Sequence, residues 1–182
     1  MTRLSSRPDT RKLTACALFA ALMAVGAWIS IPIGEISITM QLLPIMLASA
    51  LLPPMYAALS VTVYVLLGAI GLPVFAGFRA GVGVLVGATG GYIVGFVVGA
   101  LLTSLIITRW GLAWWKQAIA MVLGVAVCYA IGTAWFMHLT GRGLVSCLSI
   151  CVLPFIPFDL AKIAVSVVLS LRLRQPMKRI LG

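Results

Sequence analysis

The sequence predicts an all-α integral membrane protein of six transmembrane helices, on three observations. Of the 182 residues, 63% are hydrophobic and only 9% are charged. With a mean hydropathy of +1.19, the chain is too apolar for a soluble domain. Apolar segments of spanning length fill it, so it makes one membrane domain with no room for a soluble catalytic one. The third observation is where the bases fall. With six spans, Arg3, Arg7, Arg11, Lys12, Arg109, Lys116, Arg172, Arg174, Lys178 and Arg179 lie on one side. Arg79 and Arg142 lie opposite, and Lys162 sits within a span. That asymmetry places both termini in the cytoplasm. Five spans would split the two basic tails. The net charge of +10 therefore sets topology and is no signal for nucleic acid.

Residues 1–11 read as a basic cytoplasmic tail with no evident cleavage site after them. The membrane domain covers residues 12–173. Its first span runs from about 12 to 31 and stops at Pro32. Ala17 and Ala21 share one face of it, and Ala20, Ala24 and Ala27 share another. Small residues let helices approach closely, either within the subunit or against another membrane protein. Residues 32–40 read as a loop carrying Glu35. A short second span begins near Gln41 and ends at Pro53-Pro54, where proline both stops one helix and opens the next. The third span covers about 55–70, and GLPVFAGFRAG after it is too rich in Gly and Pro for a helix.

The fourth span, from Gly83 to about Ile107, is the expected spine. Gly83, Gly87, Gly91, Gly95 and Gly99 recur every fourth residue, which on a helix makes one continuous groove. Such a groove admits a neighbouring backbone, the mode of association available in lipid. Gly90 stands off this row. Trp110, Trp114 and Trp115 mark an interfacial loop. The fifth span covers about 117–138 and the sixth about 157–173. Residues 174–182 form a second basic cytoplasmic tail. Cys16, Cys128, Cys147 and Cys151 lie in apolar stretches with no metal-ligand set nearby, so no metal is expected.

Chemistry concentrates in PFIPFDLAKIAV. Asp159 and Lys162 are three apart and share a helix face near its outward end. A charge in a span costs at least ~2.5–3.5 kcal/mol, and facing a cavity or ligand resolves that cost. The alternative is an ion pair that only neutralises itself. Arg79 lies on the same outward side. Two bases and one acid around an apolar cavity suit an organic anion with a neutral polar head. Tyr92, Phe75, Phe78 and Trp28 are candidates to line it. No nucleotide-binding or hydrolase motif occurs, so ATP-driven transport would need a partner.

The segments LTACALFAALMAVGAWISIPIG, ISITMQLLPIMLASALLPP, GAIGLPVFAGFRAGVGVLVGATGGYIVGF and VLPFIPFDLAKIA together resemble the BioY family. These are the biotin-specific S components of energy-coupling factor (ECF) transporters. The resemblance runs from about residue 13 to 173 and is specific through the combination of GLPVFAG, GATGGYIVGF and PFIPFDLAK. It implies the six-helix S-component fold in a bacterial cell membrane, capturing biotin from outside. It also implies a transmembrane T component and two ABC-type ATPase subunits as partners. The chain itself would need no cofactor, ATP being used by those subunits.

By residue, the resemblance makes Asp159 and Lys162 ligand-binding, and the loop before the second span a lid through Ile38, Thr39 and Gln41. Ala17, Ala20, Ala21 and Ala24 become the T-component interface. Polar residues near the start of the fourth span contribute in the family. This chain has no Asn at all and carries Ala88 in GATGGY, which leaves Arg79 as the substitute, with Tyr92, Gly90, Gly91 and Phe75 around it. Lys162 or Arg79 can meet the biotin carboxylate and Asp159 the ureido N–H groups; the reverse orientation is equally open. A proton-coupled carrier using Asp159–Lys162 as relay is a competing class, and a small intramembrane enzyme a third.

Overall fold

The computed structural model describes residues 9–33 and 36–181. Of the expected basic tail at residues 1–11, residues 1–8 lie outside the described residues, as do Gly34, Glu35 and Gly182, whereas Thr10 and Arg11 already open the first helix. Helix α1 (Thr10–Trp28) is capped by Asp9, whose carboxylate accepts from Arg11 N–H. It ends three residues short of the expected Ile31. A β-hairpin follows where a loop was expected: β1 (Ser30–Ile33) pairs antiparallel with β2 (Ile36–Thr39), Ser30 opposite Thr39. Pro32 cannot continue a helix, and the Ile-Ser-Ile-Thr alternation suits a strand with one buried face. Ile36 and Ile38 are that face.

Helix α2 (Leu42–Leu51) is apolar nearly all round and packs against α1 and three later helices, α3 (Pro54–Ala69), α5 (Gly90–Trp110) and α8 (Ile156–Leu181). A helix of this kind belongs at the centre of a bundle. Between α3 and α5 lie a 3₁₀ turn at Ala76–Phe78 and the short helix α4 (Val82–Val86). Helix α6 (Trp114–Thr140) and the short α7 (Leu144–Cys151) complete the chain order. Six helical columns result: α1, α2, α3, α5, α6 and α8. Among the described residues α1, α5 and α6 are each long and apolar enough to cross a membrane, and α7 with α8 forms a fourth candidate bent by 51°. The two remaining columns, α2 and α3, are shorter apolar helices.

Three further boundaries differ from expectation. The spine is not one helix. It breaks at residues 87–89, so Gly83 and Gly87 stand apart from the groove, which consists of Gly91, Gly95 and Gly99 on α5. There the neighbour is α6: a Cβ on Gly95 would lie 3.0 Å from Cys128 Cα, and one on Gly99 2.8 Å from Gly124 O. The second difference is α6, which absorbs Trp114, Trp115 and Lys116. The third is α8, which continues through Arg174 and Pro176 to Leu181 where a separate tail was expected. The start of α1 and the end of α8 meet at one end of the bundle, where Arg11 Nη1 donates to Ile180 O at 3.4 Å. The hairpin, the 71–89 segment and α7 occupy the other.

Candidate functional site

At the hairpin end, two contiguous cavities open between the columns. Their empty volumes are about 480 and 450 Å³ with open mouths included. They share Ile36, Ser37, Thr39, Tyr92 and Phe96 as common walls. The hairpin thus contributes to both, one covering element over a divided site.

The first half holds the charged pair. Lys162 Nζ donates to Asp159 Oδ1 at 2.7 Å, and both residues are 6% exposed. A helical i, i+3 spacing brings them together. Tyr129 on α6 donates its hydroxyl to Asp159 Oδ2. Both carboxylate oxygens are therefore engaged, which makes a buried charge tenable. Phe96, Phe155, Cys128, Cys151, Val125 and Leu42 supply an apolar lining.

The second half holds Gln41, Tyr64, Phe75, Arg79 and Thr89. Phe75 is buried edge-on against Tyr64, with ring centroids 5.6 Å apart. Gly68 makes room for it: a Cβ there would fall 2.1 Å from Phe75 Cζ. The Tyr64 hydroxyl donates to Val74 O at 3.1 Å. Arg79 lies exposed at the rim, its Nε donating to Ala76 O at 3.1 Å. Gln41 is 4% exposed; its side-chain amide faces the Tyr64 hydroxyl, and Nε2 makes no hydrogen bond of full geometry.

Seven of the nine residues expected at a binding site line these cavities: Asp159, Lys162, Tyr92, Thr39, Gln41, Phe75 and Arg79. Tyr92 stands between the halves, its hydroxyl 3.2 Å from Thr133 Oγ1 and 3.5 Å from Cys151 O. Gly90 and Gly91 line neither half. A Cβ on Gly90 would meet Leu85 O at 1.8 Å, and one on Gly91 would meet Trp135 Cβ at 2.2 Å. Gly90 serves the tight α4–α5 break and Gly91 the contact with α6. Trp28 and Phe78 also lie off the cavity, stacked on each other at 5.3 Å. Of the helix-1 alanines, Ala17 and Ala21 are exposed, whereas Ala20 and Ala24 are buried in the subunit's own core. Among the described residues no group of three or more His, Cys, Asp or Glu could hold a metal.

Sequence reasoning missed Tyr129, Phe96 and Phe155. Tyr129 had a partial signal: a hydroxyl deep in an apolar span must find a partner, which the packing of α6 against α8 shows to be Asp159. The two phenylalanines carried none beyond apolarity.

The comparisons match this architecture. The family model for the BioY family matches residues 1–179. A biotin transporter BioY of Thermotoga maritima is 40% identical over 165 residues, covering 91% of this chain and 96% of that one. A probable biotin transporter BioY of Pyrococcus horikoshii is 37% identical, covering 90% and 96%. Among solved structures, the S-component for biotin from an ECF-type ABC transporter superposes with a TM-score of 0.86 at 29% identity, covering 94% of this chain and 95% of that one. The chain belongs to the BioY family.

Proposed function

We propose that this chain is the biotin-binding membrane subunit of an ECF-type uptake system. The observation that carries the reading is the Asp159–Lys162 pair held by Tyr129 on the wall of a mainly apolar cavity. Biotin has an apolar bicycle, a ureido group rich in donors and one carboxylate. An aromatic-lined cavity with a few fixed polar groups suits the bicycle and orients its polar ends. The named relatives support the choice of vitamin.

Energy comes from outside the chain. A T component and two ATPase subunits on the cytoplasmic side supply ATP hydrolysis, and this subunit carries no cofactor of its own. Both termini face the cytoplasm, following the bias of ten bases, and the cavities open outward. Ligand enters beneath the β1–β2 hairpin and the 71–89 segment.

A direct test is equilibrium binding of the purified chain against a panel of water-soluble vitamins. Saturable binding of biotin, and of no other member, is the expected result. Binding of a different vitamin with biotin inert would overturn the assignment. Vesicles holding the chain alone, with and without a proton gradient, separate a binding subunit from a proton-coupled carrier.

A further inference from the structure

We propose that the inner end of the bundle binds the phosphate of an anionic phospholipid, through Arg174 and Lys178 on α8 beside Arg11 on α1. The headgroup ties the last turns of α8 to the first turn of α1, where Arg11 Nη1 already reaches Ile180 O at 3.4 Å. This site lies at the far end of the bundle from the two cavities and does not depend on the ligand they hold.

Arg174 is half-buried. Its Nε is fully enclosed, yet among the described residues no acceptor meets it. Burial holds its pKa below the ordinary arginine value, but a guanidinium stays charged at neutral pH. A charge drawn partly out of water without a partner is costly, and a buried donor calls for an acceptor. The described acids supply none. Asp159 is bound to Lys162 at the opposite end, and Asp9, the one described acid at this end, is paired with Lys12 at 3.1 Å. Lys178 lies one turn beyond Arg174 on the same face of α8. Met177, on the same side, packs against the core cluster that includes residues of α1, α2 and α3, which holds this face against the bundle.

Depth selects a lipid as the source of the anion. Helix α1 is long and apolar enough to cross a membrane, and from Arg11 to Trp28 it rises about 26 Å. The hydrocarbon core of a bilayer is about 30 Å thick. Arg11, and Ile180 level with it, therefore stand at the inner headgroup layer. Trp110, Trp114 and Trp115 are exposed at the same end, as in an interfacial aromatic belt. Leu13, Leu173 and Ile180 are exposed on the same two helix ends and offer apolar surface to acyl chains, which a free phosphate cannot use. A planar guanidinium fork takes two phosphate oxygens at once. Lys178 and Arg11 add charge, and the positive end of α1 opens at the same place.

The test places the full chain in nanodiscs of phosphatidylcholine, alone or mixed with phosphatidylglycerol. Thermal unfolding of wild type should move up by about 3–8 °C in the anionic discs. Native mass spectrometry should find phosphatidylglycerol retained on the released protein. Arg174→Gln should lose most of the shift and the retained lipid, and Lys178→Gln part of both. Arg174→Lys keeps the charge but not the fork, so it should restore only part of the shift. Arg109→Gln removes the same charge from an exposed position at the same end and should keep the full shift. If Arg109→Gln loses as much as Arg174→Gln, the effect is diffuse surface charge and the site falls. If glycerol phosphate in solution gives wild type in phosphatidylcholine the same shift, the group bound is a free phosphate and the lipid assignment falls. An unmoved wild type in anionic discs overturns both. Where Arg174→Gln is too unstable to measure, Lys178→Gln and Arg11→Gln carry the same comparison against Arg109→Gln.

Discussion

The Tyr92 ring occupies the space that a side chain on Gly132 would need. A Cβ at Gly132 would stand 2.3 Å from Tyr92 Cδ1 and 2.5 Å from Cγ. Gly132 on α6 therefore does more than let two helices touch. It seats a residue that walls both halves of the cavity. Gly132→Ala should push the ring into the cavity and lower biotin affinity, with overpacking destabilising the fold by about 1–3 kcal/mol. Gly99→Ala, which meets Gly124 O at 2.8 Å away from the cavity, should destabilise without the same loss of affinity in the folded fraction. Equal affinity losses in both would mean that the helix contact, not Tyr92, governs binding.

The break between α4 and α5 depends on Gly90. Any side chain there would collide with Leu85 O, so Gly90→Ala must open the turn or unwind α4. Thermal unfolding in detergent should move down clearly, whereas Gly83→Ala, which meets nothing within 4 Å, should leave it unchanged. Unaltered stability in Gly90→Ala would show that the break is tolerant and α4 loosely held.

How far the sequence reaches is clear from these glycines. Four-residue spacing predicted a groove, and Gly91, Gly95 and Gly99 form one against α6. The same spacing continued through Gly87 and Gly83 and suggested one helix, because periodicity cannot register where a chain turns back. The hairpin was hidden for a related reason: Pro32 and Gly34 announce a loop, and only a short strand pattern follows. Asp159 and Lys162 were legible because charge inside a span is expensive. Tyr129 was harder to read, since one hydroxyl among apolar residues has many possible partners until α6 and α8 are placed side by side.

Alanines on α1 separate in the structure as they could not in sequence. Ala21 faces outward and Ala24 is 8% exposed within the core. Ala21→Trp should weaken assembly with a T component while leaving folding and biotin affinity near wild type, because a bulky side chain blocks close helix approach. Ala24→Trp should destabilise the subunit itself. Co-purification and binding assays on both variants check this; undisturbed assembly in Ala21→Trp would move the docking face elsewhere.

Topology can be read by labelling, since the four native cysteines are all buried. Single cysteines at Gly143 and Gly83, both with open space around them, should react with an impermeant maleimide in intact cells. One at the exposed Arg179 should react only after lysis. Labelling of Arg179→Cys in intact cells would invert the orientation inferred from the bases.

The Asp159–Lys162–Tyr129 cluster gives the sharpest prediction, because a structural pair and a binding site behave differently. Lys162 takes one oxygen of Asp159 and Tyr129 the other. If the cluster serves only to neutralise charge, replacing the pair together (Asp159→Leu with Lys162→Met) should be neutral or stabilising, and single changes should harm the fold by stranding a buried charge. If the cluster holds biotin, the double variant should fold and bind nothing measurable. Asp159→Asn removes a charged acceptor worth about 1.5–3 kcal/mol, so affinity should fall roughly ten- to a hundredfold. Tyr129→Phe should cost less, about 0.5–1.5 kcal/mol, because it frees Asp159 rather than removing it. Affinities measured by titration on folded protein, with thermal stability recorded beside them, decide the matter. Full affinity in folded Asp159→Asn and in the folded double variant would make the pair structural and leave the second half of the cavity, around Arg79 and Gln41, as the whole site.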